Sequence, residues 1–218
     1  MAQKDSTEKK ILESAKVIFA EKGFQASTMK DIASHAGVNK ALLNYYFRSK
    51  EKLFNAVFTL IFEPAFKNFV LILDQDGDIF EILEKFIRSH QRFLGKSPEI
   101  PKIMARELTS KVINVSGLIY PLFQKIITYS EIPKKFITRI NDAAEKNIIR
   151  RVDPIQLIVN ILSMNIFIYV AEPILDKTLG QFIENKEEFM KIHEEEVVNM
   201  VLNSLRPRIS GGEESEHV

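Results

Sequence analysis

The segment that decides the fold spans residues 28–47 and reads TMKDIASHAGVNKALLNYYF. It holds two short helical patterns, one on each side of Gly37, a residue suited to a tight turn. Thr28 can cap the first helix and Asn39 the second, because short polar side chains accept hydrogen bonds from the unpaired amides of a first turn. Asp31 follows Thr28 at the spacing of a capping box. The segment therefore predicts a helix-turn-helix.

Such a motif needs a small core that holds its two helices at a close crossing. Ala33 provides the small residue in the first helix, and Val38 provides the apolar residue after the turn. Ile32 and Leu43 complete this core. With these side chains turned inward, the second helix presents its polar residues outward, as a recognition helix does when it enters the major groove of DNA.

Helical patterns continue on both sides of this segment. Apolar residues recur with a period of 3.6 residues from about Thr7 to Lys22, and Gly23 is expected to end that helix. After the motif, Ser49 can cap a fourth helix whose first turn contains Glu51, an acid favoured by the helix dipole.

Beyond residue 55 the predicted helices are longer. Pro64 is expected to bend or split the fourth helix. Asp78 can cap a helix that runs to about Leu94. Asp153-Pro154 is a strong start signal for a helix to about Ala171, which is apolar on nearly all sides and must therefore be buried in a core or against a partner. A last helix is expected over about 186–205.

No alternating strand pattern of useful length is present, so the sequence predicts an all-α fold. We assign residues 1–55 to a three-helix, helix-turn-helix DNA-binding domain and residues 56–205 to a larger helical body for ligand binding and dimerisation. Residues 206–218 are rich in glycine and glutamate and are expected to form a disordered tail.

Charge and composition agree with this division. Residues 1–55 contain ten lysines and arginines against six acids, whereas the rest of the chain contains 20 against 23. A basic head on a mildly acidic body suits a protein that meets a polyanion at one end. The absence of cysteine excludes disulfides, thiol catalysis and Cys-based zinc sites, and no histidine pair has metal-ligand spacing. We expect no cofactor, metal or catalytic residue, no membrane partner and a cytoplasmic location.

The spacing of landmarks over residues 9–55 resembles the DNA-binding head of the TetR family. The matching residues are Ile11-Leu12, Ala15, Phe19, Gly23-Phe24, Ser27-Thr28, Ile32-Ala33, Ala36-Gly37-Val38, Tyr45-Tyr46-Phe47, Ser49-Lys50-Glu51 and Leu53. The resemblance implies a homodimer that binds double-stranded DNA at a near-palindromic operator and a divergent body that receives a small-molecule inducer. A repressor released by a largely apolar ligand is the expected function.

The resemblance also implies roles for individual residues. DNA contacts are expected from Thr28, Met29, Asn39, Lys40, Leu42, Asn44, Tyr45, Tyr46 and Lys50. The amides of Thr28 and Met29 would face a phosphate at a helix start. Side chains from Asn39 to Asn44 would reach base edges or methyl groups, while the two tyrosines and Lys50 would contact the DNA backbone. Ala41 and Asn44 depart from the glycine and tyrosine common in the family, so the operator sequence cannot be read from this helix.

In the body, polar residues within apolar segments are candidate ligand contacts, namely Arg106, Glu107, Tyr120 and Gln124. The last two long helices hold more apolar residues than one face needs, which predicts a two-fold interface of four helices. The residues assigned to it are Ile155, Ile158, Val159, Leu162, Ile166, Tyr169, Phe189, Val197, Met200 and Val201.

Three alternatives remain open at the level of sequence. The chain could be a helical protein-binding or scaffold module without specific DNA recognition, in which case binding to duplex DNA would lack a strong salt dependence. An enzyme is disfavoured because no nucleophile elbow, phosphate-binding glycine loop or metal cluster is present. Within the family, an activator or a regulator triggered by a protein would carry the same pattern.

Overall fold

The structure is a computed structural model that describes residues 2–98, 100–103 and 132–207. These residues form helices and contain no strand, which confirms the all-α prediction. In chain order the helices are α1 (Ala2–Ala26), α2 (Met29–His35), α3 (Lys40–Phe47), α4 (Lys50–Leu73), α5 (Ile79–Lys96), α6 (Ile132–Glu145), α7 (Pro154–Val170), α8 (Glu172–Thr178) and α9 (Lys186–Leu205), with a 3₁₀ turn at Gly180–Phe182 between the last two.

The helix starts are where the short polar side chains predict them. Side-chain oxygens accept hydrogen bonds from first-turn amides at the predicted caps Thr28, Asn39, Ser49, Asp78 and Asp153. The regular helix of α1 is interrupted at Gly23, as predicted, because φ 76° and ψ 169° are non-helical there, and a short further segment runs to Ala26. That positive φ is accessible to glycine without the steric cost that a side chain would bring.

The fourth helix differs from its prediction. Lys50–Leu73 is one continuous helix with Pro64 inside it, so of the bend or split predicted at that proline the split does not occur. By length and apolar composition α4 would be long enough to cross a membrane, and the bent pair α7–α8 passes the same test if it is counted as one span. In this fold α4 instead connects two cores, because Phe54 and Phe58 are buried in one and Ile72 is buried in the other.

The first core belongs to the head, by which we mean α1, α2, α3 and α4 up to Phe58. Phe54 lies at its centre and is fully buried. Its ring packs edge-on against Phe19 and Phe24, with centroids 5.0 and 4.9 Å away, and lies 4.6 Å from Phe58. Ile103, from beyond α5, is also buried in this core. The head is therefore closed partly by a residue that lies far outside the predicted domain of residues 1–55.

The second core belongs to the body, which comprises the described residues from Phe62 onward. Apolar residues from the end of α4 and from α5, α6, α7 and α9 form it, and among them Leu83, Ile87 and Ile161 are almost completely buried. Between α7 and α9 the chain forms α8 and the 3₁₀ turn, which the sequence pattern did not predict. Neither element starts with a side-chain cap, and the start of α8 is marked only by Glu172 and Pro173 in its first turn.

A buried polar trio joins α5 to α7 within this apolar core. Gln91 donates to Asn165 Oδ1 at 2.9 Å, and Asn165 Nδ2 lies 3.0 Å from His90 Nδ1. All three residues are at most 5% exposed. Burial lowers the pKa of His90 to about 4, so its imidazole is neutral near pH 7 and can accept the hydrogen bond from Asn165. The trio thereby satisfies polar groups that would otherwise be costly to bury.

Candidate nucleic-acid interface

The helix α3 presents a polar face because its apolar residues are turned into the head. Leu43 is fully buried and Phe47 nearly so, which anchors one side of the helix. On the other side Lys40, Asn44 and Tyr45 are exposed. Leu42 is 37% exposed, a position from which its methyl groups could meet another apolar group. The predicted outward presentation of this helix is therefore confirmed as geometry.

The start of α3 is fixed by Asn39. Its Oδ1 accepts a hydrogen bond from the Leu42 amide at 2.7 Å, which leaves the two protons of its side-chain nitrogen for a further acceptor. The side chain is exposed. Asn39 thus caps α3. It also presents a hydrogen-bond donor at the N-terminal end of this helix, which is the end that contacts base edges in a helix-turn-helix.

The turn before α3 requires a glycine. Gly37 has φ +61°, a conformation that residues with side chains rarely adopt. A Cβ atom at this position would lie 3.5 Å from Lys10 Nζ. Lys10 of α1 therefore brings a positive charge next to the turn, a contribution that the sequence analysis missed because it arises from two segments 27 positions apart.

At the start of α2, Thr28 and Asp31 form a complete capping box. Asp31 Oδ2 accepts from the Thr28 amide at 2.9 Å and from its hydroxyl at 2.7 Å, while Thr28 Oγ1 accepts from the Asp31 amide at 3.1 Å. Both donors of Thr28 thus reach Asp31, and the predicted contact of the Thr28 and Met29 amides with a phosphate stays a prediction. Met29 is half-buried and packs on the head core.

Asp31 is further held by Lys22, whose Nζ lies 3.0 Å from its second carboxylate oxygen. The pKa of Asp31 is lowered to about 2. The hydrogen bonds from Thr28 are the largest cause, and the hydrogen bond from Lys22 is the next. The carboxylate therefore stays ionised across the physiological range. It joins α2 to α1 as a fixed acceptor.

Lys50 holds the end of α1 and the start of α4 together. Its ammonium donates to the backbone oxygens of Phe24, Gln25 and Ser27 at 2.7, 3.2 and 2.8 Å, and it lies 4.5 Å from the centroid of the Phe24 ring. An ammonium has three protons, so these three acceptors use them all. The predicted contact of Lys50 with the DNA backbone stays a prediction.

The last turn of α3 contributes aromatic and basic groups. Tyr45 is 68% exposed, whereas Tyr46 is half-buried against the head core, and their rings meet edge-on at 5.6 Å. Arg48 follows the helix with φ 41° and is exposed. This arginine adds an exposed cation directly after the helix and was missed as a candidate, since no cap or periodicity signal marks it.

The predicted sites in the body have mixed outcomes. Arg106, Glu107, Tyr120 and Gln124 lie outside the described residues. Val197 and Val201 were assigned to a dimer interface, but they are 2% and 4% exposed within the chain's own core, so that assignment is corrected. They face inward because α9 packs against α5 as well as α7.

The other predicted interface residues lie nearer the surface. Ile155, Val159 and Met200 are 53%, 46% and 60% exposed. The half-buried members are Ile158, Leu162, Ile166, Tyr169 and Phe189. A stripe of α7 thus remains open to a partner.

Comparison with known proteins places the head in a large group of regulators. Residues 11–57 match the family model described as bacterial regulatory proteins, tetR family. Over 148 residues the chain is 30% identical to a Bacillus subtilis protein named "Probable HTH-type transcriptional regulator YttP". The aligned region covers 62% of this chain and 70% of that protein.

Two further comparisons extend this result. Over 104 residues the chain is 29% identical to IcaR of Staphylococcus aureus, a negative transcriptional regulator of the biofilm operon icaADBC, covering 41% of this chain and 54% of IcaR. The solved structure of FadR from Bacillus subtilis in complex with stearoyl-CoA has a TM-score of 0.66 at 15% identity, over 90% of this chain and 98% of FadR.

Proposed function

This chain belongs to the TetR family of bacterial transcriptional regulators and is a DNA-binding regulator; we propose that it acts as a homodimeric repressor released from an inverted-repeat operator by a small, largely apolar ligand. The observation that carries the proposal is the outward face of α3, where Lys40, Asn44 and Tyr45 are exposed over a buried Leu43. A helix presented in this way fits the major groove.

The residue types on this face suit both kinds of DNA contact. Lys40 can donate to guanine, Asn39 and Asn44 can pair with adenine edges, and Leu42 can meet a thymine methyl group. Tyr45 and Arg48 suit the phosphate backbone, where contacts set orientation rather than sequence. Lys10 beside the turn would add to the attraction for phosphate.

A dimer is needed for an inverted repeat, and α7 provides a suitable surface. Ile155, Val159, Ile166 and Val170 follow one another at helical spacing and range from half-buried to exposed. Two copies packed through this stripe would bury it around a two-fold axis. Their recognition helices could then meet successive major grooves, about 34–36 Å apart.

Two observations on similar proteins support repression and its release by a ligand. IcaR, a relative by sequence, is named as a negative regulator, and FadR, which shares the fold, was solved with stearoyl-CoA. A ligand that prefers a state with altered spacing of the heads would weaken simultaneous binding to both half-sites.

The test is selection of bound sites from random duplex DNA with the purified full chain. We expect enrichment of an inverted repeat, and we expect Lys40→Ala combined with Asn44→Ala to abolish it while helicity is unchanged. The matched control is Lys85→Ala with Asn141→Ala, which removes the same side-chain types from exposed helical positions in the body. Recovery of random sequence by the wild type, or normal enrichment by the α3 variant, would refute DNA recognition through this helix.

A further inference from the structure

A pocket of 510 Å³ lies where the head meets the body. We call it the junction pocket; α1 contributes Leu12 and Lys16 to its walls, α4 contributes Ile61 and Phe69, and α5 contributes Arg92 and Lys96. Its volume falls within the range of small-molecule sites, about 300–1,000 Å³. Among the described residues that line it, none is predicted to contact DNA.

The inner wall of the junction pocket is apolar and held in place. Val57 on this wall is 1% exposed, and Ile61, Phe69 and Phe93 are half-buried. The Phe93 ring lies 5.5 Å from the Phe62 ring and 6.0 Å from the Phe69 ring, so neighbouring aromatics fix its position. A hydrocarbon chain placed here would lose contact with water against a preformed surface.

The rim of the pocket is cationic. Among the described residues, the rim contains three cations, Lys16, Arg92 and Lys96, and one acid, Glu13. Arg92 and Lys96 are exposed and four positions apart on α5, so two like charges share one helix face, an arrangement that is unfavourable without an anion. In the part of the chain that the structure describes, neither of these two residues forms an ion pair.

A polar bridge at the same rim supports the geometry. Asn68 of α4 donates to Ser89 Oγ of α5 at 2.6 Å, and both residues line the pocket. Ser89 lies three positions before Arg92, so its hydroxyl is on the same face of α5 as the two cations. The rim therefore combines positive charge with a hydroxyl that can donate to a carboxylate.

We propose that the junction pocket binds a free, single-chain anionic amphiphile, with its hydrocarbon chain against Val57, Ile61 and Phe93 and its anionic group between Arg92 and Lys96. Because α1 belongs to the head while α5 belongs to the body, a molecule bound between them changes how the two are held. Its effect on operator binding rests on the function proposed above; its binding does not.

The test is calorimetric titration of the full chain with dodecanoate below its micellar concentration. We expect saturable binding to the wild type and at least a tenfold higher dissociation constant for Arg92→Ala with Lys96→Ala. The control, Lys67→Ala with Lys85→Ala, removes the same charge from exposed positions outside the pocket and should leave the dissociation constant unchanged. Dodecyltrimethylammonium, with the opposite charge, should bind at least tenfold more weakly than dodecanoate.

A second variant tests the apolar wall. Ala65 lines the pocket, so Ala65→Phe should fill it and abolish dodecanoate binding without loss of helicity. Any binding to phosphatidylglycerol vesicles should be equal for the wild type and the Ala65→Phe variant, because the pocket takes a single free chain rather than a bilayer surface. Lack of dodecanoate binding, equal affinity in the Arg92/Lys96 variant, equal binding of the cationic amphiphile, or loss of vesicle binding in Ala65→Phe would each overturn the proposal.

Operator binding then separates the two proposals. Dodecanoate should weaken binding of the selected DNA by the wild type and not by the Arg92/Lys96 variant. If dodecanoate binds the pocket but operator affinity does not change, the site is supported and release through it is refuted. If no DNA site is selected while dodecanoate still binds as described, the repressor function fails and the pocket stands.

Discussion

The head and the body of this protein place polar and apolar groups in opposite ways. In the head, aromatic side chains fill the core and the working face of α3 is polar. In the body, a polar trio is buried while many large apolar residues of α7 to α9 are exposed, namely Ile155, Val159, Phe167, Val170, Ile174, Leu179, Phe182, Ile192 and Met200. The head is therefore suited to a charged partner and the body to apolar ones.

The largest expected effect is on the free energy of unfolding, and it distinguishes one phenylalanine of the head from one of the body. Phe54→Ala should lower the free energy of unfolding by about 3–5 kcal/mol, because a fully buried ring is removed from the head core. Phe182→Ala removes a ring that is 73% exposed in the body and should cost within about 0.5 kcal/mol. Urea denaturation followed by circular dichroism measures both. Equal losses would contradict the division between a packed head and an open body surface.

The polar trio predicts a pH dependence that belongs to the body. Because the pKa of His90 is lowered from 6.5 to about 4, the unfolded chain binds a proton between these pH values and the folded chain does not. His90 therefore does not change the free energy of unfolding above pH 6.5. As pH falls from 6.5 towards 4, protonation of His90 in the unfolded chain lowers that free energy by on the order of 3 kcal/mol.

His90→Gln should remove this component while keeping an acceptor for Asn165. The measurement is urea unfolding of both proteins at pH 7, 6, 5 and 4. If the wild type and the variant lose stability in parallel, His90 is not the group responsible.

Two lysines of the head should separate stability from DNA affinity. Lys50→Met leaves three backbone oxygens without their donor and should cost about 1–3 kcal/mol of unfolding free energy. Lys40→Met should leave the free energy of unfolding unchanged. If Lys40 contacts the DNA backbone, the variant should lower the salt dependence of DNA binding by about one phosphate contact. If it contacts a base, the variant should relax the sequence preference. A stable Lys50→Met protein would argue against the tie between α4 and α1.

The exposed stripe of α7 should respond to charge. Val159→Glu should raise the dimer dissociation constant at least tenfold, because a carboxylate would be buried at the proposed two-fold interface. Leu71→Glu makes the same kind of change at a residue of α4 that is 65% exposed and should have no effect. Sedimentation velocity over a range of concentrations compares them. Dissociation of both variants to the same extent would place the interface elsewhere.

The smallest effect concerns the capping box. Thr28→Ala should cost about 1 kcal/mol through loss of the cap. It should also raise the pKa of Asp31 from about 2 towards 3.8, since the hydrogen bonds from Thr28 are the largest cause of its depression. Carboxyl chemical shifts followed by NMR between pH 1.5 and 6 report the change. An unaltered pKa would mean that Lys22 holds the carboxylate without help from Thr28.

Local features were predictable from sequence. The five caps and the outward face of α3 depend on residues within a few positions of one another, so the chain itself encodes them. The continuity of α4 through Pro64 was not predictable in this way, because cores at both ends hold that helix together. The unpredicted α8 lacks a side-chain cap, so its start is marked only weakly, by Glu172 and Pro173 in its first turn.

The amino-acid sequence by itself determined the helical class, the helix starts and the helix-turn-helix, since hydrogen bonds and periodicity within one segment specify them. Tertiary structure decided which groups several of these residues contact. It engaged Lys50 with the end of α1, turned Val197 and Val201 into the body core, and brought Arg92 and Lys96 to the same pocket as Lys16. Those outcomes depend on distances between segments far apart in the chain, which periodicity does not contain.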